Sequence, residues 1–253
     1  MLKEERRLNL LLDIFDILGP IMVGPSSSHT AGAVRIGSMA RTLLDDEPMR
    51  AKIYLHGSFA ETAQGHGTDR ALVSGLLGMK TDDSRIPFAF EEAEKAGLEF
   101  SIEEIELKEA HPNTAVLKLW GKCGKTLTIQ ASSTGGGRIM VNRLDGINVN
   151  FNGNYNTLVI HNQDNRGHIA DVTAALSIAQ VNVASMSLHR NKRGGDALMI
   201  IETDQPVPEA VRELLSRLPG ILKLTYYDKT REEADECGVK LHAGDFRSDG
   251  EIR

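Results

Sequence analysis

Apolar residues recur at helical spacing near the start of the chain. Leu8, Leu11, Leu12, Phe15 and Leu18 predict an amphipathic helix over residues 5–18, ended by Gly19-Pro20. Ile36, Met39, Ala40, Leu43 and Leu44 predict a second helix near 30–44, closed by the polar run Asp45-Asp46-Glu47-Pro48. Residues 52–56 read as a strand with Ile53 and Leu55 on one face. Thr68 reads as the N-cap of a helix carrying Ala71, Leu72, Gly75 and Leu76. The charged stretch 82–97 turns helical at Phe90–Gly97. Phe100, Ile102, Ile105 and Leu107 alternate with glutamates over 99–107, the pattern of a half-buried strand with one solvated face. A hairpin is predicted from residues 115–120 and 126–132 around a Gly121–Gly124 turn, with a further strand at Arg138–Val141.

Asparagines at 148, 150, 152, 154 and 156 mark a boundary. Beyond it the periods change in a regular order: strand 157–162, a helix with Ile169, Val172 and Leu176, and strands 182–190 and 197–203. A helix opened by Pro208 and a strand at 221–227 complete the series. This is the βαββαβ order of a ferredoxin-like module. The expected organisation is α+β: an α/β domain over 1–148, a linker over 149–155, the module over 156–228 and a charged tail over 229–253.

A chain of 253 residues with 41% hydrophobic content is long enough to bury cores in two domains. A net charge of −6 and the lack of a long basic run argue against a nucleic-acid partner. Cys123 and Cys237 are far apart and outside any CxxC spacing, so no disulfide framework and no metal site is expected within this chain. The apolar run near the N-terminus is broken by Asp13 and Asp16 and is too short to span a bilayer, so a cytoplasmic protein away from membranes is expected.

The candidate chemistry lies in two loops. Gly24-Pro25-Ser26-Ser27-Ser28-His29-Thr30 runs into the first turn of a helix, where exposed N–H groups and the dipole favour an anion. Its hydroxyls can orient a carboxylate, and His29 can exchange a proton near neutral pH. The same residues could simply cap the helix, Ser28 among them. In Gly57-Ser58 to Gly65-His66-Gly67-Thr68-Asp69, two glycines bracket His66 just before another helix start, which suggests that both loops build one site. A third segment, Ser132-Ser133-Thr134-Gly135-Gly136-Gly137, could cradle an anion but lacks the lysine of a P-loop.

The stretches Val159–Ile169 and Ala179–Ala184 make the C-terminal module resemble an ACT domain, a family of amino-acid sensors that work as paired modules. The resemblance implies an effector loop with Asn162, Asp164, Asn165 and Gly167, and dimerisation through the module. The three N-terminal motifs, in the same order, make the rest of the chain resemble the beta chain of the iron–sulfur-dependent L-serine dehydratases, and the likeness spans residues 5–228. What that resemblance implies is β-elimination of L-serine to pyruvate and ammonia, with a 4Fe–4S cluster held by cysteines of a separate alpha subunit. One iron of the cluster would act as a Lewis acid on the serine hydroxyl. His66, with His29 second, would move the proton. Ser26, Ser27, Ser28, Thr30, Thr68 and Asp69 would hold the substrate, with Asp69 orienting a histidine. The competing reading is a non-catalytic, amino-acid-sensing regulatory subunit, since a related regulatory fold is appended to some phosphoglycerate dehydrogenases.

Overall fold

A computed structural model describes residues 21–229 of the chain. The helix expected over 5–18, and the tail expected from 229 apart from its first residue, lie outside these residues.

A π-helical turn (Ser27–Ala31) leads directly into helix α1 (Gly32–Leu44). The face of α1 that the pattern marks as apolar, from Ile36 to Leu44, is the buried one. Strand β1 (Pro48–His56) is paired on both sides, which extends it four residues before the alternation becomes visible. Three helical segments follow: the single turns α2 (Ser58–Glu61) and α3 (Ala63–His66), then α4 (Thr68–Leu76). Gly67, not Thr68, is the residue before α4, and it holds a left-handed φ of 67°; Thr68 is already helical. Helix α5 (Ala89–Ala96) then leads into strand β2 (Glu99–Glu104), parallel to β1, so the segment between them is a βαβ crossover.

Strands β3 (Thr114–Gly121), β4 (Thr126–Gly135), β5 (Arg138–Leu144) and β6 (Ile147–Phe151) complete a six-stranded sheet of order β2-β1-β3-β4-β5-β6. Alternate residues of the central strands, such as Ile53, Leu55, Leu117, Leu119, Ile129 and Val141, join one core with α1 and α4. Strand β2 is an edge, and the exposed Glu99, Glu103 and Glu104 keep it solvated. The expected linker over 149–155 is shorter than the asparagine run implies. Val149 and Phe151 are buried as inward positions of β6, which leaves 152–155 as the connection.

Strand β7 (Asn156–Gln163), helix α6 (His168–Ile178), strands β8 (Val183–Arg190) and β9 (Asp196–Thr203), helix α7 (Glu209–Ser216) and strand β10 (Ile221–Tyr227) form the βαββαβ module. Its antiparallel sheet has the order β10-β7-β9-β8. Strands β7 and β9 are buried on both faces. Leu158, Ile160, Met199 and Ile201 pack with Val172, Leu176 and Leu215 of the module's own helices. The intervening Val159, Leu198 and Ile200, with Tyr227 of β10, join the core of the first domain. A period of two thus divides each strand between two cores. Each such side chain is worth about 1.5–3 kcal/mol on burial, so the domains are firmly coupled.

Helices α1 and α4 cross in backbone contact. A Cβ on Gly37 would stand 3.0 Å from Gly75 Cα, and one on Gly75 would stand 2.8 Å from Ser38 N. Glycine is needed at both positions because any side chain would hold the helices apart. The close crossing brings their N-terminal ends, and with them both motif loops, side by side.

Candidate active site

The serine loop is shaped by its own backbone. Gly24 has φ 137° and lies so close to Thr30 that a Cβ there would be 3.0 Å from Thr30 Cβ. Ser26 is extended (φ −140°, ψ 123°) and its Oγ accepts the His29 N–H at 3.1 Å. The cap is therefore Ser26, while Ser28 lies inside the turn. The Ser26 carbonyl accepts from Thr30 N at 2.8 Å and Ala31 N at 3.4 Å, the widened pattern of a π turn, a form found often at functional positions. The start of α1 presses on β4: a Cβ on Gly32 would stand 2.7 Å from Ser133 Cβ.

This backbone presents the His29 ring to the second motif. Its Nε2 lies 3.0 Å from Ser58 Oγ and its Nδ1 lies 3.3 Å from Ser26 Oγ. The Phe59 ring meets it edge-on at 5.5 Å, and the His66 ring lies 5.0 Å away, tilted by 53°. Thr30, which is buried, donates from Oγ1 to the His66 carbonyl at 3.2 Å and so ties the two loops together. Two tautomers of His29 satisfy this arrangement. Either Ser26 donates to Nδ1 while Nε2–H donates to Ser58, or Nδ1–H donates to Ser26 while Ser58 donates to Nε2. Interchange of the two moves a proton along the line Ser26–His29–Ser58.

Burial, and then the nearby His66, holds the His29 pKa below the usual histidine value. The ring is thereby kept neutral and able to accept a proton at neutral pH. His66 ends the turn α3 rather than sitting in an open glycine loop. Gly67 beyond it is left-handed, whereas a Cβ on Gly65 would meet nothing within 4 Å. The Nδ1 of His66 is buried without a hydrogen-bond partner, as are Thr68 Oγ1 and Ser133 Oγ. Unpartnered buried polar atoms on His66, on Thr68 two residues beyond it and on Ser133 against the start of α1 are the kind that a polar ligand would satisfy.

The other predicted residues are placed as follows. Ser27 and Ser28 are half-buried in the π turn, and Ser28 Oγ lies 3.9 Å from where a side chain on Gly135 would begin. The glycine triplet is the β4–β5 hairpin turn, with φ of 98°, 62° and 74°, and it borders the serine loop; Arg35 donates to the Gly137 carbonyl at 3.3 Å. Asp69 Oδ1 accepts the Arg70 N–H at 2.8 Å, and among the described residues no hydrogen bond joins Asp69 to a histidine. The residue missed by sequence reasoning is Ser58. It stands in the second motif beside Gly57, whose left-handed φ of 56° turns the chain out of β1 against Pro112. Its partnership with His29 depends on where β1 ends relative to α1, which local pattern does not reveal.

The profile of the serine dehydratase beta chain family matches residues 11–143, and that of the ACT domain matches residues 156–220. A probable L-serine dehydratase beta chain of Bacillus subtilis is 42% identical over 212 residues, covering 84% of this chain and 96% of that one. The chain belongs to the serine dehydratase beta chain family. The L-serine dehydratase beta chain of Peptoniphilus asaccharolyticus is 38% identical over 212 residues, covering 83% of this chain and 94% of that one. A D-3-phosphoglycerate dehydrogenase of Bacillus subtilis is 26% identical over 199 residues, covering 78% of this chain and 37% of the dehydrogenase.

In this beta chain, the end of β7 and the loop after it carry the expected ACT residues. Asn162 is buried, its Nδ2 donating to the Gln163 carbonyl and its Oδ1 without a partner. Asp164 accepts from Arg190 and from Gly194 N, each at 2.9 Å, and these bonds hold its carboxyl below the usual carboxylate range. Asp164 thus fastens the β8–β9 hairpin. Asn165 bonds to Gln163, and Gly167 precedes α6 with φ 100°. Among the described residues no group of three or more His, Cys, Asp and Glu side chains could hold a metal ion, and no helix is long and apolar enough to cross a membrane.

Proposed function

We propose that this chain is the beta subunit of a cytoplasmic L-serine dehydratase, working with an alpha subunit that holds a 4Fe–4S cluster. The observation that carries the reading is the meeting of His29 and His66 at 5.0 Å, among hydroxyls, in a member of this family. The described residues offer no cysteine set for a cluster: Cys123 is exposed on the β3–β4 turn, remote in sequence from both loops. In this reading the partner holds the cluster, and this chain supplies proton transfer and substrate positioning.

The reaction removes the α-proton of serine and its β-hydroxyl as water. The resulting enamine tautomerises to an imine, which water hydrolyses to pyruvate and ammonia. His66 is the base, a role that its buried, unpartnered Nδ1 supports. His29, kept neutral by burial, is the second proton carrier, and Ser58 and Ser26 pass its proton to either side. The hydroxyls of Ser27, Ser28 and Thr68 hold the substrate carboxylate, Thr30 and Asp69 fix the loops, and the loop of Asn162, Asp164, Asn165 and Gly167 receives an amino-acid effector. The ACT module pairs two chains through the outer face of α6 and the edge strand β8, where Ile169, Ile178 and Leu188 are exposed.

One observation favours the sensing reading. The stretch aligned with D-3-phosphoglycerate dehydrogenase covers 78% of this chain, which is longer than either domain, although that enzyme is named for different chemistry. Alanine variants of His29 and His66, assayed for pyruvate formation in the reconstituted complex, separate the two readings. Loss of turnover with the complex intact supports catalysis; full turnover in both variants supports sensing.

A further inference from the structure

Helix α1 links two places. Its N-terminal end carries the serine loop. Farther along, the polar face bearing Ser38, Arg41 and Thr42 lines a cavity of about 470 Å³ between the two domains. A helix of this length spans about 20 Å, so the cavity is set apart from the histidine pair. The opposite wall is formed by Arg212 of α7 and by Tyr226, Tyr227 and Asp228 at the end of β10. Because Tyr227 pairs with Thr157 and Ile221 with Asn162, this wall lies at the far end of β7 from the Asn162–Gly167 loop. The cavity is distinct from both sites already described.

Arg212 is the informative residue. Its guanidinium lies 4.7 Å over the Tyr226 ring, and the Tyr226 hydroxyl accepts the Val207 N–H at 3.0 Å, which fixes the ring beneath it. Yet Arg212 Nε is buried with no hydrogen-bond partner. Arg212 also lines the cavity, and a guanidinium stacked over a fixed ring can receive an anionic oxygen on its terminal nitrogens. The cavity is not simply cationic, since Asp45 and Asp46 also line it. Asp46 accepts from Cys123 N and Glu47 N and Asp45 pairs with Lys125, while Arg41 on their side and Asp228 beside Arg212 add one further charge of each sign. Charges of both signs around a volume within the small-molecule range fit a small zwitterion.

We propose that this interdomain cavity is a second amino-acid site, binding the ligand carboxylate on Arg212 and directing its ammonium toward the Asp45–Asp46 rim. It is independent of the catalytic reading, because the test uses the full chain alone and no turnover. Thermal unfolding is followed in the presence of each of the twenty amino acids, and those that raise Tm are titrated by calorimetry into wild type, Asn165→Ala, Arg212→Leu and Thr42→Phe. Asn165→Ala removes a side chain of the ACT loop, and Thr42→Phe fills the cavity while keeping the arginine. The expected result is an amino acid that binds wild type and Asn165→Ala alike, and whose affinity falls at least tenfold in both Arg212→Leu and Thr42→Phe. Binding untouched by both cavity variants, binding abolished by Asn165→Ala alone, or no stabilising amino acid would each overturn the proposal.

Discussion

Replacing Gly37 by alanine tests how the two motif loops are brought together. In an exposed helix the change would stabilise the chain, because alanine is favoured over glycine by about 0.8–1.0 kcal/mol. At the α1–α4 crossing the added Cβ would stand 3.0 Å from Gly75 Cα and collide with the Leu72 carbonyl. Carbon atoms in contact sit about 3.5–4.0 Å apart, so the helices must separate by roughly 0.5–1 Å. Overpacking of this kind costs about 1–3 kcal/mol, which outweighs the gain in propensity. The separation is also felt at the helix ends, where the Thr30–His66 bond of 3.2 Å would lengthen past hydrogen-bonding distance. A misplacement near 1 Å can lower turnover by about 100-fold. Urea unfolding of the chain and pyruvate formation by the reconstituted complex measure the two effects. Gly65→Ala is the control, since its Cβ meets nothing within 4 Å. A Gly37→Ala chain with an unchanged or higher urea midpoint and full turnover would refute the packing argument.

Four further outcomes are expected. The folded-state pKa of His29 lies below its unfolded value of about 6.5, so the unfolded chain binds more protons as pH falls and stability drops below that pH; His29→Gln should flatten this limb in urea titrations between pH 5 and 7. Ser58→Ala removes a hydrogen bond worth about 0.5–1.5 kcal/mol, so kcat should fall roughly 2- to 13-fold with KM little changed, and Ser58→Thr should restore it. Gly67→Ala places a Cβ at φ 67° and should lower stability by about 1–2 kcal/mol in urea unfolding. Ile178→Glu puts a charge on the exposed face of α6 and should halve the mass seen by light scattering if that face pairs two chains.

Much of the fold is legible in the sequence because its signals are local. The period of α1, the β3–β4 hairpin and the βαββαβ order of the C-terminal module each follow from spacing within one segment. Where reading and structure part, the cause is pairing or packing. Strand β1 lengthens because it has partners on both sides, and β6 crosses the asparagine run because Val149 and Phe151 find the core. At the site, the loops carrying His29 and His66 stand out by composition. Their meeting does not, because it depends on glycines at 37 and 75 that read locally as weak points in two helices. Ser58 is hidden for the same reason: the bond that gives it meaning spans 29 residues. Thr68 is misread as a cap because its hydroxyl type fits that role, while Gly67 alone can adopt the left-handed turn required.

The central claim is that His66, beside His29, carries proton transfer for a partner-dependent dehydratase. It is tested most directly by pyruvate formation from L-serine under anaerobic conditions, with the chain alone, with a cysteine-rich alpha partner, and with His66→Gln replacing wild type. Pyruvate should form only when both chains are present, and His66→Gln should assemble normally yet turn over at least about 100-fold more slowly. Full turnover by the His66→Gln complex, or by the alpha partner without this chain, would contradict the account.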